Sequence, residues 1–409
     1  MEDLLMRILF ISQLFDPEYS IKGLELMKHW VNQGHEVEVL TTFPNYPTGR
    51  VFDGYSVRFK STELSGGVKI TRLWSHISHS KSKLSRATSY LSFTFMALFA
   101  ALLGKKADLV YTYHPQSTTG LIGIAMRVIR GTPYITDVQD LWPDALIATG
   151  MNKKSFIVKL IGKWCDVIYR SASQVIVLSQ GYKAALIDRG VRPDKVTVVY
   201  NWCPEEKLID KVLVQQCQIN HLTTKPAHIL YAGNMGAAQS LKTLIDAVST
   251  FNRDDVQLTL IGGGVEKHDL QKYILELNIA NVDIKDYVPP NKIFAVLSEA
   301  DVLVVHLRDA PLFKITIPSK TQSSLAMGKP ILMAVGGETN ALLESANAGV
   351  TAEPGDVNSI ILAIKKLLLK REQWGDMGNN ARDFYLKNMS MSINYAKLDS
   401  VLNMAVEKK

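Results

Sequence analysis

An α/β protein made of two Rossmann-like, doubly wound halves is predicted by three observations. The chain opens with a complete strand–helix–strand unit, and after a polar stretch it begins the same alternation again. Its 409 residues, 47% hydrophobic and 21% charged, suit two soluble domains with an ample core each. Glycine-bearing turns recur just after strands, at the carboxyl edge where such sheets bind ligands.

Arg7 to Ile11 reads as a buried strand. Asp16-Pro17-Glu18 starts a loop that reaches Gly23, and Leu24, Met27, Trp30 and Val31 then recur at helical spacing. Gly34-His35 turns the chain into the strand Glu36 to Leu40. No GxGxxG accompanies this unit, so a dinucleotide cofactor is not indicated. Pro44 to Gly49 is a turn-rich loop.

Ala87 to Gly104 carries no charge and is long enough to raise a membrane span. Spanning is rejected, because Ser89, Ser92 and Thr94 dilute the segment and the alternation resumes at Asp108. Lys81, Lys83, Arg86, Lys105 and Lys106 around it fit a helix lying against anionic lipid. A buried crossover helix is the plain alternative.

Two polar groups follow strand ends. His114 follows Val110 to Tyr113, and Asp137, Asp140 and Asp144 follow Tyr134 to Thr136, with Trp142-Pro143 stiffening the loop. A histidine there can act as a base or a hydrogen-bond donor near neutrality, and aspartates can take protons or bind hydroxyls. Loop capping and helix capping compete with those roles. Strands Gln174 to Leu178 and Val196 to Tyr200 close the half, and polar Glu205 to Lys225 reads as an interdomain linker.

In the second half, His228 to Tyr231 runs into Ala232-Gly233-Asn234-Met235-Gly236 and a helix led by Leu241, Leu244, Ile245 and Val248. Gln257 to Ile261 precedes Gly262-Gly263-Gly264, where a ligand can approach the backbone closely. Val302 to Val305 leads to His306. Leu312 to Pro330 reads as loop, short helix and tight turn, followed by the strand Ile331 to Val335. Pro318, Ser319 and Lys320 bring N–H groups, a hydroxyl and an ammonium to the start of that helix, as a pyrophosphate requires. An ordinary capped helix ending at Gly328 is the plain reading. Helices fill the chain from Val357 on.

A net charge of +7 admits an anionic partner, and without a nucleic-acid motif a phosphorylated substrate or a membrane surface is preferred. Cys165, Cys203 and Cys217 lack zinc spacing and are odd in number, which points to free thiols in a reducing cytoplasm. The acidic start gives no secretory signal.

Read together, AGNMG (232–236), IGGG (261–264), IPSK (317–320), LAMGKPI (325–331), Gly336-Gly337-Glu338 and Glu353-Pro354-Gly355-Asp356 resemble the retaining, family 4 type glycosyltransferases of GT-B fold. FPNYPTG (43–49), DVQDLWPD (137–144) and VVYNWC (198–203) are similar to the WbuB-like N-acetyl-L-fucosamine transferases that build bacterial O-antigen and capsule. The resemblance implies two Rossmann-like domains whose parallel sheets face across a cleft. Residues 1–205 would take the acceptor, 206–385 the nucleotide-sugar donor, and 386–409 would form a helix crossing back to the first domain.

It also implies a UDP-linked donor, with Gly233, Asn234 and Gly236 at the diphosphate and Gly263 and Gly264 beside the nucleotide. Tyr287 and Val288 would meet the base, and Ser319, Lys320 and Ser323 would hold the phosphates. Gly23, Tyr46 and Trp142 would face the acceptor, and catalysis would draw on His114, Asp137, Asp140 and Lys320. The acceptor would be a polyprenyl-diphosphate-linked saccharide, reached peripherally at the inner face of the cytoplasmic membrane. No metal, other cofactor or nucleic acid is implied.

The chain departs from the family at the paired glutamates, which fall at Ile315 and Ser323, at the family histidine, here Gln139, and at a lysine, here near Gln239-Ser240. No carboxylate is plainly placed as a nucleophile. Front-face attack, with the departing phosphate taking the acceptor proton, is therefore the favoured route to retention. A nucleotide-sugar 2-epimerase of the same fold and a non-catalytic nucleotide-sugar-binding subunit are the alternatives.

Overall fold

The computed structural model describes residues 5–407 except 47, 78–82, 115–116, 149 and 217–225. Pro47, Lys81 and Cys217 thus lie outside the described residues, as does the side chain of His114. The chain divides into two units: one holds the described residues up to Val199 and from Tyr395 on, the other Tyr200–Asn394.

In the first unit, eight strands form one sheet: β1 (Arg7–Ile11), β2 (Glu36–Thr42), β3 (Lys60–Ser65), β4 (Val68–Leu73), β5 (Leu109–His114), β6 (Tyr134–Val138), β7 (Gln174–Val177) and β8 (Val196–Val198). Their order is β3-β4-β2-β1-β5-β6-β7-β8, and all neighbours are parallel except β3 with β4. β1 is buried at every position, which its unbroken apolar run requires in a sheet covered on both faces.

The β3–β4 hairpin was not anticipated. Lys60–Ser65 is polar and mostly exposed, so it lacks the alternation that marks a half-buried strand. Its signal is Gly66-Gly67, with φ of +57° and +82°, a two-residue turn that needs left-handed backbone at both positions.

The helix Lys83–Leu103 lays Phe93, Ala97 and Ala101 on the sheet. At the end of the chain, Asp399 accepts hydrogen bonds from Trp30 Nε1 (3.0 Å) and Gln33 Nε2 (2.9 Å) and pairs with His29 (2.9 Å). These contacts anchor the C-terminal helix Met391–Glu407 on the helix Leu24–Asn32.

The second unit holds β9 (Ala227–Ala232), β10 (Val256–Ile261), β11 (Val282–Lys285), β12 (Val302–His306), β13 (Ile331–Ala334) and β14 (Gly349–Thr351). They form a parallel sheet of order β11-β10-β9-β12-β13-β14. The order reverses between β9 and β12, so a crevice opens at their carboxyl ends.

The interdomain linker read at Glu205 to Lys225 needs correction over its first half. Glu206–Gln216 is a helix of the second unit: Ile209 is fully buried, Glu206 accepts from the Tyr385 hydroxyl (2.6 Å), and Asp210 pairs with Arg382. Five of its eleven residues are apolar, but polar stretches on both sides blur the pattern, and tertiary contacts hold the helix in place.

Candidate functional site

The glycine turns of the second unit pack on each other. A Cβ on Gly262 would lie 2.0 Å from the Gly233 oxygen, and one on Gly264 would lie 2.2 Å from the Met235 oxygen. Only glycine lets the two loops approach this closely, and both positions have φ near +150° (144° and 153°). Gly233 N–H donates to Ile261 O and Met235 N–H to Gly263 O (both 2.8 Å). Gly236 N–H and Asn234 Nδ2 both donate to Gln239 Oε1 (3.2 and 3.0 Å).

Much of the backbone expected to meet a diphosphate is therefore already engaged within the protein. The cation beside these turns is Lys320. It sits in the first turn of the helix Ser319–Ala326, and its ammonium donates to the Tyr231 hydroxyl and lies 3.9 Å from the Tyr231 ring centroid. Gly233 makes the room: a Cβ there would come within 2.2 Å of Lys320 Cε and 2.7 Å of Nζ. The Tyr231 hydroxyl, its pKa raised by burial, donates to Asn234 O (2.6 Å). Burial pulls Lys320 down to about 7. A cation held here with so little solvent favours an anionic ligand strongly.

His306, at the end of β12, donates from Nδ1 to Gln239 O (2.6 Å). Burial and the Lys320 charge lower its pKa, so it is neutral, and its Nε2 is a buried acceptor without a hydrogen-bond partner. In the sequence His306 marks only the start of a loop, and Tyr231, the seat of Lys320, only a strand residue.

Of the other residues expected at a donor, Ser319 and Ser323 share the Lys320 helix, and Gly263, Tyr287 and Val288 lie on the loops after β10 and β11. Gly263 faces open space, with nothing within 4 Å of a Cβ position. Tyr287 is exposed and Val288 half-buried on the loop after β11. Ser319 is exposed, and Ser323 bonds back to Lys320 O (3.1 Å). A cavity of about 320 Å³ in this unit, lined by Lys314, Gly336, Asn340 and Glu353 among others, touches none of them.

At the rim of the first unit, Asp137 departs from the expected role. It is fully buried, its Oδ2 takes Lys22 and the Tyr111 hydroxyl, and its Oδ1 accepts from Gln139 Nε2 (2.6 Å). With its carboxylate engaged on both oxygens by the protein, it holds the rim together rather than facing a substrate. Lys22 was missed because a lysine in a loop sequence reads as solvated; burial pushes its pKa down while Asp137 pushes it up.

Asp140 does face solvent, yet the protein crowding its carboxyl removes enough water to raise its pKa to about 6. Its charge reaches the Tyr113 and Tyr90 hydroxyls, and Tyr90 also senses Arg86 and Tyr46. The loop carrying Tyr46 is fixed by Glu18, which accepts from the Asn45 and Tyr46 N–H groups (2.6 and 2.7 Å). Tyr46 itself is exposed.

Gly23 sits where a Cβ would fall 2.3 Å from Asp16 Oδ2, the group that caps the Leu24 N–H (2.7 Å). It makes room for a helix cap. Trp142 is half-buried, and its carbonyl accepts from Arg189 (2.7 Å), which also pairs with Asp144.

Residues 24–202 match the family described as glycosyl transferase 4-like domain, and residues 215–384 the one described as glycosyl transferases group 1. The chain is similar to the probable glycosyltransferase WbjE of Pseudomonas aeruginosa, 25% identical over 56% of this chain and 58% of that protein's length. It is also similar to the putative colanic acid biosynthesis glycosyl transferase WcaI of Escherichia coli K12, 24% identical over 89% of this chain and 92% of that protein. Among solved structures it resembles Anabaena Alr3699/HepE in complex with UDP-glucose, with a TM-score of 0.68 and 16% identity over 97% of this chain and 99% of that one. The fold is GT-B.

Proposed function

The chain belongs to the group 1 glycosyltransferases, and we propose that it moves a sugar, with retention, from a UDP-linked donor to a lipid-linked saccharide in bacterial surface-polysaccharide synthesis. The observation that carries the donor half is the Lys320 ammonium, seated on Tyr231 in the gap left by Gly233 at the reversal point of the sheet. HepE, of the same fold, has been crystallised with UDP-glucose, and WcaI is named for colanic acid biosynthesis. N-acetyl-L-fucosamine as the sugar rests on the DVQDLWPD and VVYNWC segments.

In the reaction, the bond between the anomeric carbon and the diphosphate oxygen breaks while the acceptor oxygen bonds to that carbon on the same face. The acceptor proton passes to the departing phosphate oxygen. Lys320 stabilises the charge that develops there, a task preorganised donors perform well in a dry site. Asp140 accepts a hydrogen bond from a neighbouring hydroxyl of the acceptor sugar and orients it, which leaves the reacting O–H for the phosphate. No step calls for a metal ion, so turnover survives EDTA.

Thermal unfolding against a panel of nucleoside diphosphates and nucleotide sugars tests the donor half, since specific binding stabilises the fold in proportion to ln(1 + [L]/Kd). A selective shift with UDP and one UDP-sugar, lost in Lys320→Ala, supports the reading. A shift with neither overturns it. Turnover with a polyprenyl-diphosphate-linked saccharide then separates a transferase from a binding subunit, which the absent carboxylates at Ile315 and Ser323 keep in view. Epimerised free donor would identify the 2-epimerase instead.

A further inference from the structure

The helices Lys83–Leu103, Thr119–Arg130 and Phe156–Ser171 pack side by side in the first unit. Arg130 donates to the carbonyls of Leu102 and Gly104, and a Cβ on Gly120 would fall 2.5 Å from Ile168, so the three make one continuous layer. Their inner faces are ordinary core: Phe93 and Ala97 on the first, Ile122 and Met126 on the second, Val158 and Ile168 on the third.

Their outer faces are not ordinary surface. On the first helix Leu91, Phe95, Phe99 and Leu103 follow at intervals of four, a single stripe, with Phe95 60% and Leu103 83% exposed. The second helix adds Val128 and Ile129 (77% and 65% exposed). The third adds Phe156, Ile157, Leu160 and Val167, with Phe156 77% exposed. Isolated exposed apolar residues are common, but a run across three neighbouring helices marks an interaction face.

Charge decides the partner. The three helices contain one carboxylate, Asp166, against seven lysines and arginines. Exposed Lys105, Lys106, Lys153 and Lys154 stand in the segments that flank them. Apolar side chains ringed by cations fit the headgroup and upper acyl region of an anionic bilayer. A second copy of the same face would set cation against cation.

We infer that this three-helix layer docks flat on an anionic membrane surface, with the Leu91–Leu103 stripe and Phe156 entering the interface. The first helix is long and apolar enough to cross a bilayer by length and composition. Its other face, however, is committed to the sheet, and withdrawing it would uncover the apolar residues it packs on. Lying flat satisfies both faces at once. The same helix carries Tyr90, which senses Asp140, and Ser89, which accepts from Gln13 Nε2 (2.9 Å). From there to Leu103 it runs about 20 Å at ~1.5 Å per residue, so its N-terminal part lies at the rim and its stripe in the lipid. This inference stands on the surface and not on the transferase reading.

The test is flotation of the purified chain with vesicles of phosphatidylcholine alone or mixed with phosphatidylglycerol, at low and high salt, with no donor or acceptor present. Wild type is expected to float with the anionic vesicles at low salt and much less at high salt. Phe95→Glu and Phe156→Glu should each weaken binding about tenfold or more, the cost of losing one inserted aromatic side chain. Lys105→Gln with Lys106→Gln should weaken it about fivefold per residue. Leu369→Glu, an 89% exposed leucine of the second unit, should leave it unchanged. All these positions are exposed, so far-UV circular dichroism and melting should match wild type. Failure of wild type to float, or equal flotation of Phe95→Glu and Phe156→Glu, overturns the inference. Concentration-dependent dimerisation abolished by the same substitutions, without flotation, would also overturn it in favour of self-association.

Discussion

If Lys320 is the cation that meets the donor diphosphate, nucleotide binding must take up a proton. In the free protein, burial pulls the ammonium down to about 7. A diphosphate laid against it favours the charged form and raises its pKa. At pH 8 a group of pKa about 7 is roughly one-tenth protonated, and one restored to 9 or above roughly nine-tenths, so binding takes up about 0.8 proton. The sign follows: affinity is greatest near pH 7 and weakens by on the order of 10- to 30-fold by pH 9. That range lies above the titration of a terminal phosphate, whose pKa is about 6. Isothermal titration calorimetry with UDP at pH 8, in two buffers of different ionisation enthalpy, reads the proton count directly. Lys320→Met should bind weakly and without uptake. Zero uptake by wild type, or equal uptake by Lys320→Met, would refute the assignment.

The remaining predictions probe the scaffold around that group. Gly233→Ala, which drives a Cβ into Lys320 Cε, should cost at least about tenfold in UDP affinity, whereas Gly263→Ala meets no protein atom and should keep the fold intact. Weakened UDP binding by Gly263→Ala in calorimetry would then report a ligand passing over that residue. Lys22→Met strands a buried carboxylate at Asp137, which should cost about 3–5 kcal/mol and lower Tm by roughly 10 °C, with Lys22→Met/Asp137→Leu recovering much of it in scanning calorimetry. If Asp140 orients the acceptor as a carboxylate, kcat/KM should fall as pH drops through about 6, and Asp140→Asn should be slower at neutrality but lack that limb.

The sequence by itself determined the two-sheet architecture and the glycine turns that come together in the second unit. Unbroken apolar runs such as Ile8 to Ile11 can only be buried on both faces, and glycine after a strand marks backbone that must come close to something. It placed Lys320 at the start of a short helix, and that is where the ammonium stands.

What the sequence could not reveal is what each polar group touches, because that is fixed by residues far apart in the chain. Asp137 looked like Asp140 until Lys22 and Tyr111, distant in sequence, closed over it and left only Asp140 at the surface. The glycine turns look like free N–H donors in the sequence, but Gly233 and Met235 donate to the neighbouring loop, Gly236 to Gln239 and Gly262 to Lys285. Glu206–Gln216 reads as a linker because polar residues interrupt and flank its apolar ones, and the partners that hold it, Tyr385 for Glu206 and Arg382 for Asp210, lie far along the chain. Spacing along a chain is a local property, whereas desolvation, and with it the charge state of a lysine or an aspartate, belongs to the packed fold.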